Sequence, residues 1–415
     1  MGDTLRNIYA SIDIGSDNIK VVVCELYKGR YNLLAASSVK SQGIKKGLIS
    51  NVDLAKKCIE DAFLEVEEML GFKITKVMAI VPSYFADFTM IKGEIEIKHE
   101  DLVITGEDVI DVLQAAMQNS IVPTKEMVTI MPIDFEVDSG ICKEPQGLVS
   151  KTMKTRAIMV TVPKKNIYSV VSILSSLGVD TVDISLGCIG DIYTFKNSEM
   201  ENNIGAVINI GAEVSSVTLY NKCIAVKNNL ISMGSHDIDN DISYMYKVAQ
   251  DVACDLKETF AVSYRNRAST NEFREVVNKK GEKLKINQYE LSEIVQARLE
   301  EIFTLAQSEI TNLTKKSLDY IIITGGITNM PNFKELASQT FGNSVIIGNV
   351  NLIGLRNNKY SQVIGNIIYF VNKLKLKGKT YSMISSDDME VLSSVKKSSN
   401  DTSKLGKVFG YFFGE

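Results

Sequence analysis

Two apolar stretches near the N-terminus, "IYASIDIG" and "IKVVVCEL", either alternate with polar residues or run without a break, and they meet at Gly15. This pattern predicts a β-hairpin with Gly15 in the turn. A third strand, "YNLLAASSVK", precedes the segment "VDLAKKCIEDAFLEVEEMLG", which we expect to be a helix ending at Gly71. Its apolar positions at helical spacing are Leu54, Cys58, Ala62, Leu64 and Met69.

The same succession of elements returns in the second half of the chain. "AVINIGAEVSSVTLY", from Ala206 to Tyr220, repeats the pattern of "ASIDIGSDNIKVVVCEL", from Ala10 to Leu26. A strand "CIAVKNNLIS" and a single helix over "DIDNDISYMYKVAQDVACDLKETFAV" are predicted next, then a long helix "QYELSEIVQARLEEIFTLAQSEITNL" and a strand "DYIIITGG". The chain is therefore predicted to form two related α/β lobes, which normally place a ligand in the cleft between them.

Each lobe contains an insertion. Residues 84–158 contain a predicted strand "GEIEIKH", a helix "GEDVIDVLQAAMQNS" and strands around "VTIMPIDFEVD"; the second lobe has a charged stretch near 265–285. The core pattern resumes with "AIMVTVP", from Ala157. Past Lys379, "TYSMISSDDMEVLSSVKKSSNDTS" is rich in Ser, Asp and Lys, so we expect a flexible linker.

The last residues, "KLGKVFGYFFGE", have the pattern of an interfacial helix. On a helical wheel Leu405, Val408, Phe409 and Phe412 share one face, Phe413 lies at its edge, and Lys404 and Lys407 are the nearby cations. Four apolar side chains give a gross gain of ~6–12 kcal/mol at a membrane, and ordering the segment offsets much of it. The alternatives are a helix packed on its own domain and a disordered end.

Composition excludes several classes of function. A net charge of -4 gives no basic field for nucleic acid, and six scattered cysteines with two histidines give no zinc spacing. No signal-peptide pattern opens the chain, and no apolar run approaches the length that crosses a bilayer. We expect a cytosolic address with reduced thiols.

Three glycine loops are candidate phosphate and ligand contacts. A tight turn between strands exposes backbone N–H groups, and an aspartate at the strand end, such as Asp13, holds Mg²⁺ through its water shell. The repeat supplies the second loop, and "IIITGGITNMP" puts Gly325 and Gly326 after a buried strand and before a helix. The plainer alternatives are ordinary hairpins and an ordinary strand-to-helix turn.

Together these three elements resemble the ATPase core shared by actin, Hsp70 and sugar kinases. Longer stretches resemble the FtsA family of actin-like cell division proteins: "SVKSQGIKKGLISNVDLAKKCIEDAFLEVEEMLGFKITKVMAIVP", "VTIMPIDFEVDSGICKEPQGLVSKTM", "ISMGSHDIDNDIS" and "IVQARLEEIF". The resemblance implies subdomain 1A over 1–83 and 159–187, 1C over 84–158, 2A over 188–244 and 316–378, and 2B over 245–315. A linker over 379–403 and an amphipathic membrane-targeting helix over 404–415 would follow.

The resemblance also implies a nucleotide site, with ATP and Mg²⁺ as cofactors. Asp13 would lie near the metal, and Lys257 would face the ribose and base. The other positions implied in the nucleotide site are Gly15, Ser16, Asn18 and Lys20 in the first loop, Asn209 and Gly211 in the second, Gly234 after it, and Gly325 and Gly326 in the adenosine loop. Asp241 matches the aspartate that follows Gly234 in the family's pattern, and Arg298 matches an arginine in the groove of 2B that receives the FtsZ C-terminal peptide.

Several positions depart from the family's pattern. Asn18 takes the place of a lysine in the first loop, and Lys20, on the same face of the strand, is its substitute. In the second loop Asn209 replaces an aspartate, Ala212 a glycine, and Glu213 brings negative charge toward an anion. Ser235 replaces a glycine and Cys254 a ribose-facing glutamate. We therefore expect ATP binding with weak or absent hydrolysis.

The function implied is an adaptor that polymerises and anchors FtsZ filaments to the inner face of the cytoplasmic membrane at the septum, as a peripheral protein. Its partners would be FtsZ, other copies of itself, anionic lipid and other division proteins. Two alternatives stay open: a sugar-kinase-like enzyme, which needs an aspartate base and an intact second loop, and a pilus-assembly adaptor of the same superfamily, which needs no lipid-binding tail. An Hsp70-like chaperone is disfavoured because nothing past Lys379 resembles a peptide-binding domain.

Overall fold

The predicted hairpin lies inside a five-stranded sheet, in a computed structural model that describes residues 6–117, 122–385 and 388. The elements of this part are β1 (Asn7–Ile14), β2 (Asn18–Tyr27), β3 (Arg30–Lys40), β4 (Ile44–Lys45), β5 (Leu48–Ile49), α1 (Val52–Leu70) and β6 (Lys76–Val81). Strand β1 pairs antiparallel with β2 and parallel with β6. The short β4–β5 hairpin holds residues 46 and 47 at the edge of the central cleft.

Helix α1 begins and ends where the sequence predicts, but its buried face is different. Asn51 caps its first turn by accepting from the Leu54 N–H at 3.1 Å, and Gly71 ends it in the left-handed conformation. Leu54, Leu64 and Met69, predicted on the buried face, are exposed. The residues that pack on the sheet are Ala55, Cys58, Ile59, Ala62, Phe63, Val66 and Leu70. Small residues and a β-branched pair set this face, because they let the helix lie close to the strands.

The first insertion forms its own four-stranded sheet, ordered β7-β10-β8-β9. Its elements are β7 (Asp87–Glu96), α2 (Gly106–Met117), β8 (Lys125–Val137), β9 (Gly140–Cys142) and β10 (Thr152–Pro163). Helix α2 packs on β7 and β10 over a separate apolar cluster that includes Phe135 and Met153. The chain then returns to the first sheet through α3 (Lys164–Ser176) and β11 (Asp180–Leu186).

The second lobe repeats the first. Its elements are α4 (Gly187–Phe195), β12 (Ile204–Ile210), β13 (Ser215–Asn221), β14 (Ile224–Ile231), α5 (Ser235–Tyr246), α6 (Gln250–Thr259), β15 (Phe273–Val277), β16 (Lys283–Asn287), α7 (Gln288–Leu313), β17 (Tyr320–Thr324), α8 (Phe333–Phe341), β18 (Ile346–Ile347) and α9 (Ser361–Leu376). The sheet order β14-β13-β12-β17-β18 has the same strand directions as β3-β2-β1-β6-β11. The duplicated α/β plan is confirmed, and β15–β16 form the hairpin of the second insertion.

The single helix predicted after β14 is wrong, because the chain breaks between α5 and α6. Lys247 takes the left-handed conformation, and the Ser243 hydroxyl donates to the Val248 carbonyl at 2.7 Å. Val248 is fully buried at this corner, so the break lets both helices cover the same core. No Gly or Pro marks the turn in the sequence, so the helical pattern appears continuous.

Helices α4 and α9 cross where the two lobes join, with backbone against backbone. A Cβ added at Gly365 would lie 1.7 Å from the Gly190 carbonyl oxygen, and one added at Gly190 would lie 2.2 Å from the Gln362 carbonyl oxygen. Only glycine permits this approach.

The predicted linker does not start as a flexible segment. The Met383 N–H donates to the Ile8 carbonyl at 2.9 Å, and the Tyr381 ring packs edge-on against Phe370 with ring centroids 6.3 Å apart. Met383 is buried, and Ile384 joins the same core. The apolar residues of "YSMI" therefore extend the packed domain to residue 384, because they bury surface against β1 and α9.

The predicted tail helix, 404–415, lies outside the described residues. None of the helices within the described ranges combines the length and the apolar character that a bilayer crossing requires.

Candidate functional site

A cavity of about 650 Å³ lies between the two lobes, a volume in the range of small-molecule sites. The predicted site residues that line it are Asp13, Gly15, Ser16, Asn18, Lys20, Asn209, Gly211, Lys257, Gly325 and Gly326. The cavity therefore brings the three glycine loops together from both halves of the duplicated fold.

The first loop closes with a hydrogen bond from the Gly15 N–H to the Asn18 carbonyl at 3.2 Å. The Ser16 hydroxyl accepts from the Gly47 N–H at 2.7 Å, which ties this loop to the β4–β5 hairpin. Lys20 extends from β2 to Asp13, with Nζ 2.6 Å from Oδ2. The ammonium of Lys20 therefore lies at the end of β1 beside the loop.

The second loop has the same closure, from the Gly211 N–H to the Val214 carbonyl at 3.1 Å. Glu213 is turned toward the first lobe, where its carboxylate accepts from the Lys46 N–H. This contact draws the acidic side chain to the edge of the cavity, so the repulsion expected from its sequence position is partly relieved.

Gly234 is the one predicted nucleotide contact that does not line the cavity. It lies behind the second loop, which separates it from the cavity. A Cβ there would lie 2.4 Å from the Ala212 carbonyl oxygen and 2.5 Å from that of Gly211. The Ser235 N–H donates to the Gly211 carbonyl at 2.9 Å, and the His236 N–H donates to the Ala212 carbonyl at 2.8 Å. The start of α5 therefore supports the second loop.

Asp17 joins the first loop to the start of α5 across the cleft. Its carboxylate lies 2.9 Å from His236 Nε2 and also pairs with Lys40. Partial burial alone would raise the pKa of Asp17, but the hydrogen bonds from His236 and Lys40 outweigh it and hold this pKa well below its usual range. The bridge connects the two lobes beside the first two glycine loops of the cavity.

Lys257 lines the cavity, but its ammonium forms an ion pair with Asp239 inside the second lobe. Its Nζ lies 2.7 and 2.9 Å from the two carboxylate oxygens of Asp239, and both side chains are nearly inaccessible. Burial raises the pKa of Asp239, and Lys257 opposes that rise. Cys254 occupies the expected position one turn earlier, and Glu258 lines the cavity beside it. The ammonium of Lys257 thus organises the wall instead of presenting a free charge.

The two glycines of the third loop have different roles. Gly325 has φ +107°, and a Cβ there would meet the Ile210 carbonyl oxygen at 2.2 Å, so this position fixes the loop against the end of β12. At Gly326 the nearest atom to an added Cβ is Lys359 Cβ at 3.6 Å, an ordinary van der Waals contact, so one added carbon would fit there. A short 3-10 helix, Gly326–Asn329, begins at this point, and α8 follows it at Phe333.

Lys359 is a cation of the cavity that sequence reasoning missed. Its ammonium donates to the Ser38 hydroxyl at 3.0 Å, and its pKa is lowered by burial and by the neighbouring charge of Lys20. Two cations held near each other in a concave site favour an anion between them.

Asp191, on α4, is a second residue that the sequence analysis missed. It is 1% exposed and accepts hydrogen bonds from Asn209 Nδ2, Ser361 Oγ and Gln362 Nε2. Burial raises its pKa to about 6, although these three donors lower it in part. The signal was available as one acidic residue inside the apolar run "GCIGDIYTF".

Arg298 lies away from the cavity, on α7. Its guanidinium forks onto Asp241, with Nε and Nη2 at 2.7 and 2.8 Å from the two carboxylate oxygens, and Nη1 lies 2.7 Å from Glu301. Both Arg298 and Asp241 are therefore engaged within the second lobe. The predicted membrane residues, 404–413, lie outside the described part of the chain.

Comparison with known proteins agrees with this architecture. The solved PilM-PilN type IV pilus biogenesis complex is 14% identical and matches 89% of this chain and 99% of that chain with a TM-score of 0.58. MreB5 of Spiroplasma citri, solved bound to ADP, is 13% identical and matches 89% and 98% with a TM-score of 0.55. At these identities the likenesses show the fold alone. The protein thus has the actin-like ATPase fold, as predicted.

The sequence comparisons place it within that class. A family model described as "Cell division protein FtsA" matches residues 206–365, and one described as "SHS2 domain inserted in FTSA" matches residues 87–161. Cell division protein FtsA of Enterococcus hirae is 29% identical over 88% of this chain and 83% of its own, and that of Bacillus subtilis is 27% identical over 90% and 86%. The chain belongs to the FtsA family.

Proposed function

We propose that the interlobe cavity binds ATP with Mg²⁺, and that the protein uses this site in tethering FtsZ filaments to the membrane during cell division. The main support for a nucleotide site is that three loops line one cavity. The loops at Gly15 and Gly211 are closed by the same type of hydrogen bond, and the third loop presents the bare backbone of Gly326. The fold relative MreB5 was solved bound to ADP and to AMPPNP, which supports the same choice of ligand.

The residues present fit this ligand. Gly326 has no side chain, so a flat base would lie against bare backbone at the cavity wall. Lys46 and Lys359 line the cavity and offer positive charge to phosphates, and Lys20 adds a third ammonium from its ion pair with Asp13. Within the described ranges no group of three His, Cys, Asp or Glu side chains forms a dedicated metal cage. Mg²⁺ needs none, since it keeps several waters and binds through one or two side chains plus substrate phosphates. Asp13 would hold it through water, and the ion when bound would neutralise phosphate charge.

Calorimetric titration of Mg-ATP into the full-length chain tests this site. We expect saturable binding in the wild type. In Asp13→Ala the affinity should lose its dependence on Mg²⁺, because the carboxylate facing the metal is gone while Lys20 remains to contact phosphate. Asp108→Asn is the matched control: Asp108 is a buried carboxylate on α2, hydrogen-bonded to Thr105 and His99 and remote from the cavity. Absence of saturable binding, or equal Mg²⁺ dependence in Asp13→Ala, would refute the proposal.

We propose that ATP turnover is slow or absent. Asn209 is neutral where the family has an aspartate near the metal and the attacking water, and Ala212 adds a Cβ to the loop. Steady-state phosphate release by the wild type, compared with Asp13→Ala, measures the rate directly. Turnover as fast as that of an ordinary metabolic kinase would contradict this part of the account.

The tethering proposal rests on family membership and on the apolar face of residues 404–415. Sedimentation of the full chain with vesicles of anionic lipid, with and without FtsZ, tests it. Phe409→Asp with Phe412→Asp should remove the chain and FtsZ from the vesicle pellet, because charge on the apolar face opposes insertion. Ser398→Asp with Ser399→Asp adds the same charge in the upstream segment and should leave sedimentation nearly unchanged. Equal loss with both pairs would refute insertion of the apolar face.

A further inference from the structure

Asp191 is a buried carboxylate for which the described part of the chain offers no cationic partner. Its three donors are all neutral: Asn209 Nδ2 at 2.9 and 3.1 Å from the two oxygens, Ser361 Oγ at 2.6 Å and Gln362 Nε2 at 3.0 Å. A buried charge is costly unless an opposite charge or a full set of hydrogen bonds compensates it. Its position behind Asn209, a residue of the cavity wall, suggests that the missing cation belongs to the ligand.

The carboxylate fixes the orientation of the Asn209 amide. Because the NH₂ group donates to both oxygens of Asp191, the amide oxygen Oδ1 must point away from them. The opposite flip would put Oδ1 against two carboxylate oxygens at about 3 Å, which is repulsive. Among the described residues Oδ1 accepts no hydrogen bond, and Asn209 lines the cavity. Asn209 therefore presents an acceptor to the ligand.

The repeat of the fold gives this oxygen a specific place. Asn209 stands two residues before Gly211 at the end of β12, as Asp13 stands two residues before Gly15 at the end of β1. The two strand ends thus face the cavity with an oxygen donor each. We infer that Asp191 is a positioning residue for the metal-nucleotide complex: it aims Asn209 Oδ1 at Mg²⁺ or its water and supplies, from α4, the negative charge that the end of β12 lacks.

This inference rests on the proposed binding of Mg-ATP, and it explains why an asparagine is retained at position 209. An aspartate there would put two carboxylates about 3 Å apart, and like charges at that distance cannot both ionise. Restoring the family's aspartate alone is thus expected to harm the site. Exchanging the two residues should preserve it, because one carboxylate and one amide remain in contact.

The experiment compares the full-length wild type with Asp191→Asn, Asn209→Asp, the double exchange and the control Asp108→Asn. Two quantities are measured: the free energy of unfolding without ligand, and the Mg²⁺ concentration that half-saturates nucleotide binding. We expect Asn209→Asp to be less stable than the wild type and the exchange to recover most of that loss. Asp191→Asn should need about tenfold more Mg²⁺, as substitutions behind a metal ligand generally do, with recovery in the exchange. Asp108→Asn should leave the Mg²⁺ requirement unchanged.

Three results would overturn the inference. An unchanged Mg²⁺ requirement in Asp191→Asn, with normal binding by the wild type, would refute it and leave the proposed function standing. Full stability of Asn209→Asp without ligand would refute the pairing of the two side chains. No nucleotide binding by the wild type at any Mg²⁺ concentration would refute the proposed function and this inference with it.

Discussion

At the residue scale, glycines with similar sequence contexts are needed for different physical reasons. Gly325 is required by its positive φ and by contact with the Ile210 carbonyl, whereas a Cβ at Gly326 would make only an ordinary van der Waals contact with Lys359 Cβ. Gly15 and Gly211 lie between these cases, since a Cβ at either would press on a carbonyl of its own turn at 2.9 or 2.6 Å. Gly326 is therefore the position where an added methyl would enter the cavity without pressing on a backbone atom.

We predict that Gly326→Val folds as well as the wild type but binds Mg-ATP about tenfold more weakly or worse, a loss of about 1.4 kcal/mol or more. The added branches occupy the surface that the base would cover. Gly326→Ala, with one carbon, should give a smaller loss. Thermal unfolding and calorimetric titration on the three proteins check the prediction; unchanged affinity in Gly326→Val would show that the ligand does not reach this surface.

Individual site residues differ in how far the sequence reveals them. Asp13 and the loop glycines follow strand ends, so the pattern of apolar residues locates them. Asp191 lies on α4 and Lys359 lies in a short 3-10 helix, Asn358–Tyr360, and only the tertiary fold brings them to the site. Lys257 and Arg298 were identified by resemblance, but the pattern gave no sign that Asp239 and Asp241 hold their charges.

At the element scale, strand patterns were reliable because both central strands are buried on both faces and end in a glycine turn. The buried faces of helices were predicted less reliably than the strands. Leu54, Leu64 and Met69 of α1 were read as apolar positions at helical spacing, yet all three side chains are exposed to solvent. The corner at Lys247 also has no sequence marker. The α4–α9 crossing depends on a glycine pair more than 170 residues apart, which no local pattern reveals.

We predict that Gly365→Ala destabilises the protein by about 1–3 kcal/mol, the usual range for overpacking. Its new methyl would meet the Gly190 carbonyl, and backbone on both helices would have to separate. Urea unfolding should be measured for Gly365→Ala and for Gly326→Ala, where an added methyl has room. The comparison separates the cost of overpacking at the helix crossing from the general effect of replacing a glycine. Equal stability of the two variants would contradict the crossing geometry.

At the scale of the whole molecule, two further contacts join the lobes in addition to the crossing of α4 and α9. The Asp17–His236 contact and the Glu213–Lys46 contact bridge the cleft beside the first two glycine loops. Both would be sensitive to a change in the angle between the lobes, and both lie beside the loops proposed to hold phosphate. Nucleotide binding and lobe closure are therefore expected to be coupled.

We predict that Asp17→Asn lowers stability by about 1 kcal/mol at pH 7, with the difference from the wild type shrinking as the pH falls below about 4. The folded pKa of Asp17 is lowered, so its contribution is complete above the unfolded pKa and is lost as protonation proceeds. Urea unfolding at a series of pH values from 7 downward measures it. A difference that stays constant with pH would mean that the charge of Asp17 is not the stabilising feature.

We propose that both halves of the duplicated fold contact one nucleotide. The most direct measurement is a crystal structure of the full chain with AMPPNP and Mg²⁺. We expect phosphates between the loops at Gly15 and Gly211, the metal between Asp13 and Asn209, and the base on Gly326. Nucleotide contacting one lobe alone, or bound elsewhere on the molecule, would contradict it.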